Sequence, residues 1–179
     1  YSRAITKIQY GDYEGALDDY KKSLSIPDLR KEIYLDIGLI NFYSSNFKKA
    51  LLNFNNVIEE EQFDHKNFLY RGDTNFRLKY YEASIKDYDK SVELYNKNYL
   101  SLNNRGVINY KEGYFTKSLA DFNRSLKLNP DNYNTLYNRA LTYKKLKFNK
   151  KACIDLKKSI KLGKDVFKEE YDSICYKNS

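Results

Sequence analysis

The sequence predicts an all-α solenoid of about five stacked helical hairpins. Three observations carry that prediction. The chain repeats with a strict 34-residue period, apolar residues fall at helical spacing in both halves of each period, and small residues recur where two helices must meet. "YRGD" at 70–73, "NRGV" at 104–107 and "NRAL" at 138–141 set the register. The small residue of the first half is Ala4, Gly38, Gly72, Gly106 and Ala140. A second small residue follows in the other half at Ala16, Ala50, Ser84, Ser118 and Ala152. A large one comes next at Tyr20, Phe54, Tyr88, Phe122 and Leu156. No insertion or deletion breaks the register.

The units follow in order as 1–30, 31–64, 65–98, 99–132 and 133–163, with a capping helix over 164–179. In the third unit the first helix carries Phe68, Gly72, Asn75 and Phe76, and the second carries Ser84, Ile85, Tyr88, Ser91 and Val92. Small residues let the paired helices approach, and aromatics fill the space between them. Turns fall near Gly11, Ser45, Lys79 and Gly113. "LNPDNY" at 128–133 closes the fourth unit: Pro130 cannot continue a helix, and Asp131 or Asn132 can cap the next. Gly163 ends the last hairpin, and Phe167, Tyr171, Ile174 and Cys175 make one apolar stripe on the tail. The first unit lacks its opening residues and no cap precedes Tyr1, so the chain is expected to be part of a longer protein.

This pattern resembles the tetratricopeptide repeat. Residues 99–132 match best, through Leu102, Gly106, Ser118, Phe122, Ser125 and Pro130, with serines in place of two alanines. The resemblance implies a right-handed α-α superhelix with a concave groove, acting as a protein–protein interaction scaffold. It places ligands on the first helix of each unit. The positions concerned are Leu35, Leu39, Phe42, Tyr43, Leu69, Asp73, Phe76, Arg77, Asn103, Val107, Tyr110, Lys111, Tyr137, Leu141, Lys144 and Lys145. That set is apolar and aromatic at its start and basic at its end, which suits a peptide or helix with hydrophobic anchors and some acidic residues.

One departure from the repeat is an arginine at a position usually aliphatic: Arg3, Arg71, Arg105 and Arg139. Sixteen residues beyond each lies Asp19, Asp87, Asp121 or Asp155. The second unit has Ile37 and Asn53 in the two slots, so both positions change together. This predicts a structural ion pair inside each hairpin; the alternative is that the arginines line a groove for an acidic ligand.

Composition and motifs exclude several classes. No apolar run reaches the ~18 residues of a membrane span. The net charge of +8 is concentrated at one end, where residues 133–179 hold 12 basic and 5 acidic side chains. An RNA-binding helical repeat using this basic end, including Lys147, Lys150, Lys151, Lys157, Lys158, Lys161 and Lys164, is one alternative function. The sequence argues against nucleic acid, because Tyr13, Tyr20, Tyr34, Tyr81 and Tyr88 fall at hairpin-core positions, whereas a stacking platform needs exposed rings. A purely structural array within a large assembly, such as a ciliary one, is another alternative. The Lys and Asn of a chaperone carboxylate clamp are missing, since the helices preceding Asn104 and Asn138 offer Leu69 with Asp73 and Asn103 with Val107. His65 lies at a helix start, Cys153 reads as core filler, and Cys175 belongs to the tail stripe, so no enzyme, metal site or cofactor is expected. Two cysteines make no disulfide scaffold, which favours a reducing, cytoplasmic setting.

Overall fold

The computed structural model describes residues 1–163 and 167–176, and the described residues form eleven α-helices. They fall into two compact units, Tyr1–Leu94 and Tyr95–Ser179. The first holds three hairpins: α1 (Ser2–Gln9) with α2 (Tyr13–Ser23), α3 (Arg30–Tyr43) with α4 (Phe47–Glu60), and α5 (His65–Arg77) with α6 (Tyr81–Leu94). A 3-10 turn, Pro27–Leu29, leads into α3. The second unit holds α7 (Tyr99–Lys111) with α8 (Phe115–Leu128), α9 (Tyr133–Lys145) with α10 (Asn149–Lys161), and α11 (Lys168–Cys175) packed on α10.

The 34-residue period is visible in the backbone of every hairpin turn. Gly11, Ser45, Lys79, Gly113 and Lys147 each adopt a positive φ, between 61° and 81°. Each ends its helix in a Schellman arrangement. In the third hairpin the Lys79 amide donates to the Phe76 carbonyl at 3.0 Å and the Tyr80 amide to Asn75 at 2.8 Å. The fourth repeats this with Gly113 on Tyr110 and Tyr114 on Asn109. Helix starts follow the same spacing. Asp64, Asn98 and Asn132 cap α5, α7 and α9 by accepting from backbone amides at 2.8–3.2 Å.

The hairpin cores are built on close approach. A Cβ at Gly38, Gly72 or Gly106 would lie 2.7 Å from a ring carbon of Phe54, Tyr88 or Phe122 respectively. Phe54 and Phe122 are fully buried, and Tyr88 is 1% exposed. Serines in the second helix are buried too, and they make hydrogen bonds that alanines could not. Ser91, Ser125 and Ser159 donate to the carbonyls of His65, Tyr99 and Tyr133 at 2.7–3.0 Å, tying the end of each second helix to the start of its own first helix.

Candidate functional site

The arginine positions are built from paired helices at fixed register. Arg71 Nη2 lies 2.6 Å from Asp87 Oδ1, and Arg139 Nε lies 2.7 Å from Asp155 Oδ2. Arg105 pairs with Asp121 through both Nε, at 3.0 Å, and Nη2. These guanidinium side chains are 21–24% exposed, and their carboxylates are nearly buried. Arg3 makes the same pair with Asp19 at 2.6 Å, but its own side chain is 72% exposed. The Arg3 hydrogen bond, helped by Lys7, holds the Asp19 carboxyl well below the usual carboxylate range. The second hairpin places buried Ile37 in the arginine slot, and its Asn53 bonds instead to the Lys49 carbonyl.

Two layers of this network are absent from the sequence reading. Asn75 and Asn109 donate to Oδ2 of Asp87 and Asp121 at 2.9 and 3.0 Å, the oxygen that also accepts from the arginine Nε. Arg71 and Arg139 also reach back to Asn55 and Asn123 on the preceding second helix, at 3.1 and 2.7 Å. The 34-residue recurrence of Asn41, Asn75 and Asn109 is the signal that could have exposed the first layer. Asn41, whose hairpin has no aspartate, turns to the Ile37 carbonyl at 2.8 Å. The carboxylate valences are thereby used internally, and Arg71 also borders a cavity of about 350 Å³ with Asn55, Phe63, Phe68 and Lys90.

In the first unit the groove-facing positions separate. Leu69 is buried at 8% exposure, so it sits in the core rather than on a surface. Asp73 accepts the Tyr88 hydroxyl at 2.7 Å, the ring of Phe76 lies against Tyr81, and Arg77 stands 4.9 Å over the ring of Phe47. A cavity of about 390 Å³ opens beside Leu39 and Tyr43, lined also by Ile8, Tyr13, Ile40 and Asp36. Asp36 is its acidic corner and takes the hydroxyl of Tyr20 at 2.7 Å. Burial and this carboxylate push the Tyr20 hydroxyl far above the ordinary tyrosine range. Tyr13, expected in a hairpin core, is instead 51% exposed. It opens α2 directly after the turn and borders the open cavity beside Ile8 and Asp36 rather than filling the hairpin core.

In the second unit the positions converge. Val107, Tyr110, Lys111 and Leu141 line one cavity of about 160 Å³ with Asn138 and Phe122. That volume is below the ~300–1,000 Å³ of small-molecule sites and suits a single apolar side chain. Asn103 joins the rim by accepting from Asn138 at 3.1 Å. Lys111 and Lys145 are exposed. Tyr137 and Lys144 are already engaged by α11: Tyr137 stacks on Phe167 with centroids 4.0 Å apart, and Lys144 pairs with Glu170 at 2.7 Å. Burial, foremost, raises the hydroxyl pKa of both Tyr110 and Tyr137.

The cysteines correct the sequence reading. Cys153 and Cys175 form a disulfide joining α10 to α11, rather than standing as a free core thiol and a tail residue. The expectation of a reducing setting loses its support, since such bonds persist in oxidising surroundings. The basic end is spread over exposed side chains: Lys158 pairs with Asp131 at 3.0 Å, and Lys151 lies over the rings of Tyr143 and Phe148. Lys164 lies outside the described residues. No helix among the described residues is long and apolar enough to cross a membrane, and no cluster of metal-ligating side chains occurs among them.

Hairpins of this register, closed by glycine against a ring and stacked within each unit, define a helical-repeat interaction protein. Family models described as tetratricopeptide repeat match at residues 71–98 and 99–132, so the chain carries tetratricopeptide repeats over 71–132. Such proteins mediate protein–protein interactions and are typically non-enzymatic. The fold is similar to that of the solved structure titled "Crystal structure of MamA", at 18% identity over 92% of this chain and 96% of that one, with a TM-score of 0.83. It is also similar to YrrB, described as a tetratricopeptide-repeat protein with an unusual peptide-binding site: 21% identity, 90% of this chain, 84% of that one, TM-score 0.75. The type IV pilus biogenesis factor PilW aligns at 20% identity over 98% of this chain and 87% of that one, with a TM-score of 0.77. A search of curated proteins finds no match.

Proposed function

We propose that this chain holds a peptide or helical segment of a protein partner against the first-helix faces of its hairpins. The observation that carries the reading is the side-chain-sized cavity of Val107, Tyr110, Lys111, Asn138 and Leu141. It offers an apolar floor, one amide and one exposed ammonium, which is the equipment for a hydrophobic anchor next to an acidic residue. The peptide-binding site named for YrrB, a structure of the same fold, supports the choice of ligand class.

The groove variants Val107→Arg and Tyr110→Glu test this. Both leave the ion-pair network intact and fill or charge the cavity. Affinity capture from cells, compared with the unmodified chain, is expected to lose its specific partner while circular dichroism stays unchanged. An identical partner set for both variants overturns the reading.

A further inference from the structure

We infer that α11 is a disulfide-latched internal occupant of the last hairpin, and that its chemistry describes a partner helix that replaces it on reduction. The inference rests on the partner-binding reading above and adds to it a ligand pattern and a control.

The latch is built from three independent contacts made by one short helix and the residue that precedes it. Phe167, just before α11, lies flat on Tyr137 with planes 13° apart. Glu170, one turn on, pairs with Lys144. Ile174, a further turn on, is 3% exposed and packs with Ala140, Ala152 and Leu156. Tyr137 and Lys144 are two of the residues the repeat places toward a ligand, yet here they are satisfied from within. An eight-residue helix is marginal on its own, so its residence depends on what holds it. Beyond the backbone at its start, what holds it covalently is Cys175 on Cys153.

The backbone tethers the start of α11 to α10 in both redox states; the closed bond adds a second anchor near its far end, so a competing helix must displace α11 against both. A dithiol opens it by supplying two electrons and two protons. The Sγ–Sγ bond breaks, Cys153 and Cys175 become thiols, and the dithiol closes into its own disulfide. Tyr137, Lys144 and the Ala152–Leu156 surface then become available to another helix with the same features: an aromatic residue, an acidic residue three positions later, and an aliphatic residue four beyond that.

The probe is a labelled synthetic peptide spanning residues 167–176 with Cys175→Ala. Fluorescence anisotropy is read against the full chain, oxidised and after dithiothreitol, and against Cys153→Ser. The peptide is expected to bind the reduced chain and Cys153→Ser about tenfold or more tighter than the oxidised chain. Lys144→Glu is expected to abolish that gain. Amide exchange across α11 is expected to accelerate on reduction while α9 and α10 keep their protection. Equal affinity in both redox states overturns the latch. So does loss of α9 and α10 protection on reduction, which makes the bond a structural staple. Failure of the groove reading shows in partner capture by the cavity variants, and failure of the latch shows here, as a peptide affinity that does not change with redox state.

Discussion

At the scale of single residues, the Arg–Asp pairs trade desolvation against attraction. Asp121 is buried and receives Arg105 and Asn109 together, so its charge is compensated rather than free. Removing the guanidinium alone strands that carboxylate. Arg105→Ile is expected to cost about 3 kcal/mol, while Arg105→Ile with Asp121→Asn, the combination present at Ile37 and Asn53, is expected to cost much less. Urea unfolding of both variants checks this, and equal losses refute the pairing energetics. The tyrosines give a second expectation. Tyr1, Tyr20, Tyr70, Tyr110 and Tyr137 all have raised hydroxyl pKa values, with burial the first cause in each. A folded pKa above the unfolded one means full stability below about pH 10 and progressive loss above it. The melting temperature is therefore expected to fall above pH 10, in step with tyrosinate absorbance.

At the scale of elements, the turns and the interhelical contacts set the hairpin. Lys79 and Lys147 hold a left-handed conformation that costs an L-residue roughly 1 kcal/mol. Lys79→Gly or Lys147→Gly is expected to raise stability by about 0.5–1 kcal/mol, read as a shift of the denaturation midpoint. Gly106→Ala is expected to cost about 1–3 kcal/mol, because the new methyl meets the Phe122 ring. Adding Phe122→Leu should recover part of that loss, since the fifth hairpin holds Ala140 and Leu156 in those two slots, buried in one cluster. These elements were legible in the sequence because backbone geometry repeats with the chain: a turn, a cap and a small residue recur every 34 positions. The site was less legible. Leu69 occupies a ligand-facing slot by register but is buried, which spacing alone does not reveal. The asparagine layer repeats every 34 positions at Asn41, Asn75 and Asn109, but an Asn within a helix fits a surface or a capping role equally well, and only the folded hairpin brings it to the aspartate.

For the whole molecule, the feature missed was the one that lies outside the period. Cys153 and Cys175 are 22 residues apart, and neither belongs to a repeated cysteine pattern. Their pairing depends on where α11 folds back, which no 34-residue register encodes. Closing a loop of that size stabilises by about 3 kcal/mol in the chain-entropy account. Reduction is therefore expected to weaken the seating of α11 by about that amount and to leave the exchange protection of α9, α10 and Tyr1–Leu94 unchanged. Hydrogen exchange resolved by segment, with and without reductant, distinguishes the two. A uniform loss across both units would contradict the assignment of the bond to one of them.

The second hairpin also implies an order of events. Converting an Arg–Asp hairpin into an Ile–Asn one takes two substitutions, and the two routes differ in height. Losing the guanidinium first passes through an orphaned buried anion. Neutralising the carboxylate first leaves an amide that still accepts from the arginine, with the cation partly in solvent. A lineage drifting between the two hairpin types therefore crosses by the amide, and Asp121→Asn should be the milder of the two single steps.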